Sequence, residues 1–543
     1  MLSKARTGFR PALLLAAFGL TLRAQGWIEA DRRQEAFLRD RAFDPDLPQG
    51  WSHGWTLFAT TLGRGDRALP IAWGQGLGTS VRGQGLAFSH AYVRGAGSMS
   101  VSYRLGRDSE TGTLQAQVLT WSLAWKPKDS WLLALEQEPL IWGQGLQGGY
   151  LLGDSAQPFP KARVRSPWWE VGLFGVPLGT WRGEMFLGRL EGGRVLPHEA
   201  QNPFMLRELE QTIGEVDQPK LSGYRAEARF GPKIDFALGI VSMWGGRNRL
   251  TGVRLDEGWG AGEYATAFFG LDTALAERNV DYTDGKPAPA VSWANKARSN
   301  ALVAVDLRLR PEWLKALARA ESATFYLTRG ADSANWQYSR AFRHPWDAFW
   351  RDLDRLRRNL DRRHLKDEWN NAYRDFAPSL DQPQDTVGLT FAWTSGVEAA
   401  VEYSDTVNSF LSPIGFRTYT HASWPAGHSR KGDMLGHAYG ADLRITQATV
   451  GFPVSTFKVR LTAAYGQRPF RDSLADWQAV QGLENPTRET FLQGDFSLET
   501  RALGWDWSLR TQGRRTLNAD HVAGHMRRDA QVQVLAHRTL TWP

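Results

Sequence analysis

Glu136 and Glu138 share one face of an alternating segment, as do Glu398 and Glu402. Two carboxylates flanking a glycosidic bond could serve as the acid and base of a glycosidase. The same pairs arise wherever the polar side of a strand lines a water-filled interior, and that bland reading is the stronger one. The eleven histidines show no HExxH or comparable ligand spacing, so the pattern points to no metal and no cofactor. No glycine-rich loop carries a P-loop lysine, and Ser155, in Gly153-Asp154-Ser155-Ala156, lacks the nucleophile-elbow pattern. With no cysteine in 543 residues, thiol catalysis, disulfide scaffolds and Cys-ligated zinc are excluded. The chain therefore reads as a non-enzyme.

The elements that would position such residues alternate with period two. Leu503, Trp505, Trp507 and Leu509 oppose Gly504, Asp506, Ser508 and Arg510. Leu492, Gly494, Phe496 and Leu498 oppose Gln493, Asp495, Ser497 and Glu499, and Phe457–Tyr465 and Val387–Trp393 repeat the pattern. One apolar face and one polar face is the signature of a half-buried strand. A soluble sandwich would turn the apolar face inward, whereas a transmembrane barrel would turn it outward. Tryptophans near strand ends (Trp125, Trp142, Trp393, Trp505 and Trp542) favour the barrel, as do 25 tryptophans in all and short turns alternating with long polar loops.

Antiparallel strands reverse direction at each connection, so short turns must fall on one side. Strand starts near 66, 85, 98, 113, 131, 168, 180, 222, 233, 300, 322, 386, 397, 438, 456, 490, 502 and 529 satisfy that rule. The expectation is an all-β antiparallel transmembrane barrel of about 18 strands over 66–543, with both termini periplasmic. The connection 311–321 is long for a periplasmic turn. Loops 244–299 and 330–385 are long enough to enter the lumen. Within the latter, an extracellular helical insertion has Phe349, Leu353, Leu356 and Leu360 at helical spacing behind Pro345.

The N-terminus predicts export. A basic stretch to Pro11, an apolar run Ala12–Leu22 and Leu22-Arg23-Ala24 form a signal peptide over 1–24, followed by a periplasmic segment 25–65. Removing Lys4, Arg6, Arg10 and Arg23 lowers the net charge from +8 to +4, which gives no support for nucleic-acid binding.

A resemblance emerges from motifs in order. Trp142-Gly143-Gln144-Gly145, then Leu151-Leu152-Gly153-Asp154-Ser155-Ala156, Met243-Trp244-Gly245-Gly246-Arg247, Val401-Glu402-Tyr403-Ser404-Asp405-Thr406 and Gly432-Asp433-Met434-Leu435-Gly436-His437 resemble segments of the capsule assembly Wzi family. Gln144 stands where that family often has proline. The resemblance implies a plugged outer-membrane barrel that binds and organises capsular or extracellular polysaccharide without catalysis. It implies an anionic surface polysaccharide and outer-membrane lipid as partners, with the polysaccharide export machinery as a further candidate. Aromatic faces stack on sugars and guanidinium groups pair with sugar carboxylates. The candidate glycan-binding residues are thus Trp142, Gln144, Asp154, Lys161, Arg163, Arg165, Trp244, Arg247, Arg249, Trp424, His428 and Arg430. Gly143, Gly145, Gly245, Gly246, Asp405 and His437 are expected to shape bends and close polar networks. The alternatives are a porin-like channel and a secreted carbohydrate-active hydrolase on a soluble β fold.

Overall fold

The computed structural model describes residues 50–64, 83–107, 113–127, 131–143, 145–146, 149–153, 158–173, 176–194, 216–269, 299–332, 384–406, 428–430, 433–437, 439, 443–468, 488–519 and 522–542. The expected signal peptide, the 25–49 part of the N-terminal segment and the helix expected within 330–385 lie outside these residues.

One sheet of nineteen segments closes on itself, every pairing antiparallel. Two segments are arms of one bent strand, which makes eighteen strands. They are β1 (Gly50–Arg64), β2 (Gly83–Arg94), β3 (Gly97–Arg107), β4 (Leu114–Trp125), β5 (Leu132–Glu136), β6 (Lys161–Arg165 and Trp169–Leu173), β7 (Val176–Arg189), β8 (Lys220–Phe230) and β9 (Ile234–Trp244). There follow β10 (Ser299–Leu309), β11 (Ser322–Asp332), β12 (Gln384–Ala392), β13 (Glu398–Asp405), β14 (Arg444–Val454), β15 (Phe457–Arg468), β16 (Glu489–Ala502), β17 (Trp505–Leu517) and β18 (Met526–Trp542). Each strand pairs with its neighbour in sequence, and β1 pairs with β18 from Trp51↔Trp542 to Arg64↔Ala530. β6 bends at Ser166, whose hydroxyl accepts the Gly183 N–H at 2.8 Å, and both arms pair with β7.

The first strand corrects the sequence reading. Gly50–Arg64, placed in a periplasmic segment by pattern, is wall, paired with both β2 and β18. Short turns gather at one end and long connections at the other, as parity requires. The two-residue turn Leu503-Gly504 has φ of 56° and 76°, the left-handed pair that matches strand twist. The long turn at 311–321 contains helix α2 (Glu312–Ala318), ending at Arg319 in the left-handed region. Trp393 Nε1 donates to the Ala318 carbonyl there at 3.1 Å.

The polarity of the wall separates a sandwich from a membrane barrel. On β5, Leu133 and Leu135 face outward and are exposed, whereas Glu136 faces inward and is buried. On β13, Val401 and Tyr403 are outside and Glu398 and Glu402 inside. Leu461, Leu492, Val532 and Val534 repeat the exposed apolar face. An apolar exterior around a charged interior is the arrangement that lipid stabilises. Exposed tryptophans Trp51, Trp125, Trp169, Trp313 and Trp507 ring the short-turn end. Trp142, expected in a girdle, is instead 2% exposed inside the barrel.

Candidate functional site

β5 ends at Glu136, and the chain then turns into the lumen. Trp142 and Leu152 form an isolated bridge, with Trp142 N–H donating to the Leu152 carbonyl at 2.9 Å. The loop between them needs glycine. Gly143 has φ of 123°, and a Cβ on Gly149 would lie 1.6 Å from the Trp142 carbonyl oxygen. Trp142, Tyr150, Leu151, Leu152 and Phe159 pack with the inward residues Phe186, Leu221, Val241, Met243 and Leu302. Leu435, from the connection between β13 and β14, joins them. The wall accommodates this plug with inward glycines: an added Cβ on Gly330 would sit 2.2 Å from the Tyr150 ring, and one on Gly239 would sit 2.6 Å from Leu151.

Two of the four carboxylates that could have done chemistry are held by neighbours, Glu402 in part by the plug and Glu136 by the wall strand β6. Glu402 accepts from the Leu146 N–H at 2.5 Å, the Tyr326 hydroxyl at 2.5 Å and Gln447 Nε2 at 2.8 Å. Glu136 pairs with Lys161 at 3.2 Å and Arg163 at 3.5 Å, and Arg163 Nε reaches Glu184 at 2.7 Å. Lys161 also donates to the Glu138 carbonyl. Desolvated charges persist when paired in this way. Among the described residues, no group of three or more His, Asp and Glu could hold a metal ion.

Several residues expected in exposed loops therefore sit elsewhere. Lys161, Arg163 and Arg165 belong to β6, and the first two are buried in the lumen pairs. Trp142 is enclosed by the plug. His428 is fully buried, its carbonyl accepting the Leu435 N–H, and His437 is buried beside the Tyr439 ring. Sequence spacing alone does not reveal that Trp142 and Tyr150–Leu152 fold inward. Gln144, Asp154 and Trp424 lie outside the described residues. Arg430 is placed only through its backbone, in the ribbon Ser429-Arg430 with Asp433-Met434. Gly145 lies inside the Trp142–Leu152 loop. Asp405 pairs with Arg444 at 3.0 Å across the rim of β13 and β14.

Among the described residues, several arginines stand exposed at the long-loop end above β8 and β9. Above β8 and β9 the chain kinks at Gly245 and Gly246, with φ of 63° and 98°, and a Cβ on Gly246 would meet Val216 at 2.5 Å. Beyond the kink, Val216-Asp217 pairs with Arg247-Asn248. Arg249 donates to Asp217 from Nε at 3.0 Å and from Nη2 at 2.9 Å, and this hydrogen bonding holds the Asp217 carboxyl below the usual range. Arg247 is exposed and bridges opposite Arg254, whose side chain is 63% exposed. Burial alone would raise the Asp256 pKa, but hydrogen bonds from Lys220 and Arg254 pull it down. Exposed Arg189 donates to Gln218 beside the same ribbon. Arg247 and Arg249 were legible from the Gly-Gly motif. Arg189, Gln218 and Arg254 were not, because only the β8–β9 kink brings them to one rim.

The fold and rim define a closed eighteen-stranded barrel of outer-membrane type, its lumen occupied from the long-loop end. No family model matches the sequence, and no curated protein matches it. Among solved structures, the fold is that of Wzi, an outer membrane protein involved in group 1 capsule assembly in Escherichia coli and described as a carbohydrate-binding β-barrel. The alignment covers 94% of this chain and 88% of that one, with 12% identity and a TM-score of 0.55. OprD of Pseudomonas aeruginosa aligns over 91% and 97%, at 8% identity and a TM-score of 0.42. OccAB4 of Acinetobacter baumannii aligns over 92% and 100%, at 8% identity and a TM-score of 0.44.

Proposed function

We propose that this barrel resides in the outer membrane and binds an anionic capsular or extracellular polysaccharide at its long-loop rim, without making or breaking bonds. The observation that carries the reading is the set Arg189, Arg247, Arg249 and Arg254 around one kinked ribbon, above a lumen that the plug enters. Guanidinium groups pair bidentately with carboxylates, which suits a uronate or pyruvate polymer. The shared fold with a carbohydrate-binding barrel supports the reading, and the plug weighs against free diffusion through the lumen. The engaged state of Glu136 and Glu402 weighs against hydrolysis. Export through a signal peptide and contact with polysaccharide export machinery belong to the same proposal.

The test is polymer binding by the detergent-purified protein and by cells, with Arg189, Arg247, Arg249 and Arg254 all changed to alanine. The quadruple variant should release acidic polymer while retaining heat-modifiable barrel mobility on gels. Removing any one dominant charge-assisted hydrogen bond to the polymer should weaken binding about 10-fold or more. Undiminished polymer retention by a correctly assembled variant would remove the rim from the site, and shortened glycan chains that depend on Glu136 or Glu138 would show an enzyme.

A further inference from the structure

The segment that follows the arginine ribbon does not enter the lumen. Inward positions on β8 and β9 are Leu221, Gly223, Val241 and Met243, which meet the plug. Lys220, Ser222, Tyr224, Ser242 and Trp244 therefore face outward. Polar residues on a lipid-facing wall are costly unless partnered, and Lys220, Ser222 and Ser242 are each partnered by residues 256–269. Lys220 pairs with Asp256 at 2.5 Å. The Ser222 hydroxyl donates to the Phe268 carbonyl at 2.6 Å and that of Ser242 to the Ala267 carbonyl at 2.8 Å. These last two bonds satisfy carbonyls left open at the C-terminus of helix α1 (Ala261–Phe268). Tyr224 stacks on Phe269 at 5.1 Å, and Trp244 packs edge-on against Tyr264 at 6.0 Å. Trp244, expected to stack on sugar, is thus covered on the barrel's outer face. Loop 244–299, expected to plug the lumen, runs outside it at least to Phe269.

The exposed stripe of α1 is Ala261, Gly262, Ala265 and Phe269, with no charge in it. The acid of the first turn, Glu263, is turned back onto the Gly260 N–H. A helix facing water normally carries charge on its exposed side. This stripe instead continues the exposed apolar wall, where Met185 stands on β7 opposite Tyr224 on β8. Tyr403 and Tyr465 stand exposed near the same end of other strands.

We propose that helix α1 with Phe269 is a membrane-seated element, folded over the rim onto the outer wall, with Ala261, Ala265 and Phe269 against lipid. It covers the outward Lys220, Ser222 and Ser242 together with Tyr224 and Trp244, and puts Phe269 at the interface in their place. The inference rests on the membrane placement of the barrel and is independent of glycan binding.

The chain has no native cysteine, so single nitroxide labels report unambiguously. Ala265→Cys and Ala261→Cys would be labelled in the full chain, reconstituted in phosphatidylethanolamine–phosphatidylglycerol vesicles. Collisions with oxygen and with a water-soluble nickel chelate would be measured. Leu187→Cys serves as the wall reference and Thr251→Cys as the aqueous one. Labels at 265 and 261 should show an oxygen-to-nickel ratio several-fold above that at 251 and close to that at 187. A ratio equal to that at 251 would overturn the proposal. Protection from both reagents would also overturn it, by showing that protein, such as a second copy, covers the stripe. A water-exposed label at 187 would reject the membrane placement itself, which keeps the two failures distinct.

Discussion

Leu146 and Glu402 meet inside the barrel, the Leu146 N–H donating to Glu402 Oε2 at 2.5 Å. One belongs to the plug and the other to the wall strand β13, so this carboxylate ties a connection to the far side of the lumen. Tyr326 and Gln447, on β11 and β14, hold the same carboxylate. Glu402→Ala should cost about 1.5–3 kcal/mol for each charged hydrogen bond removed without replacement. We expect a lower midpoint of heat-induced unfolding on gels and a rise in planar-bilayer conductance. Unchanged conductance together with a lowered midpoint would mean that the packed aromatics alone retain the plug.

Two wall glycines give a paired test of how the plug is accommodated. An alanine Cβ at Gly330 would lie 2.2 Å from the Tyr150 ring, whereas one at Gly494 would meet nothing within 4 Å. Gly330→Ala should displace Tyr150 and destabilise by about 1–3 kcal/mol, the usual cost of overpacking. Gly494→Ala should be within about 0.5 kcal/mol of the parent. Equal unfolding midpoints for the two variants would show that the plug does not bear on this wall.

Asp217 competes with any acidic polymer for Arg249. Asp217→Asn removes one negative charge at the rim and loosens the Arg249 guanidinium, so affinity for an acidic polymer should rise about two- to five-fold, the range of an exposed ion pair. The gain should shrink at high salt. Weaker binding in this variant would show that Arg249 must be held by Asp217 in order to act.

Burial pushes the His437 pKa from 6.5 down to about 4. On acidification the unfolded chain takes up this proton before the folded one does. The buried neutral ring therefore contributes stability that is complete above about pH 6.5 and is lost progressively as pH falls toward about 4, roughly 3 kcal/mol in all. Corrected for the intrinsic pH dependence of amide exchange, the protection factors of 433–437 should fall across that window, and His437→Gln should flatten the dependence. Protection factors that are flat between pH 7 and 4 in the parent would contradict the burial argument.

The alternation of Leu503–Arg510 and Leu492–Glu499 was enough to predict strands, and connection parity gave their number and direction. The first strand was hidden because His53 on its outward face and Phe58 on its inward face break the period-two contrast. Inward or outward placement was legible strand by strand. Which long connection turns inward was not, because it depends on Gly239 and Gly330 opening space on strands remote in sequence from Trp142 and Tyr150. Lys220, Ser222 and Ser242 did carry a signal. They are three polar residues on an otherwise apolar face, and they mark where α1 docks.

The seam between β1 and β18 has a consequence for biosynthesis. The partner of Gly50–Arg64 is Met526–Trp542, so seventeen strands can be translated while the wall still has two open edges. Each edge presents a row of unsatisfied amides and carbonyls that would pair with any available strand. A chain terminated before Met526 should meet periplasmic proteolysis instead of insertion, whatever the quality of the other seventeen strands.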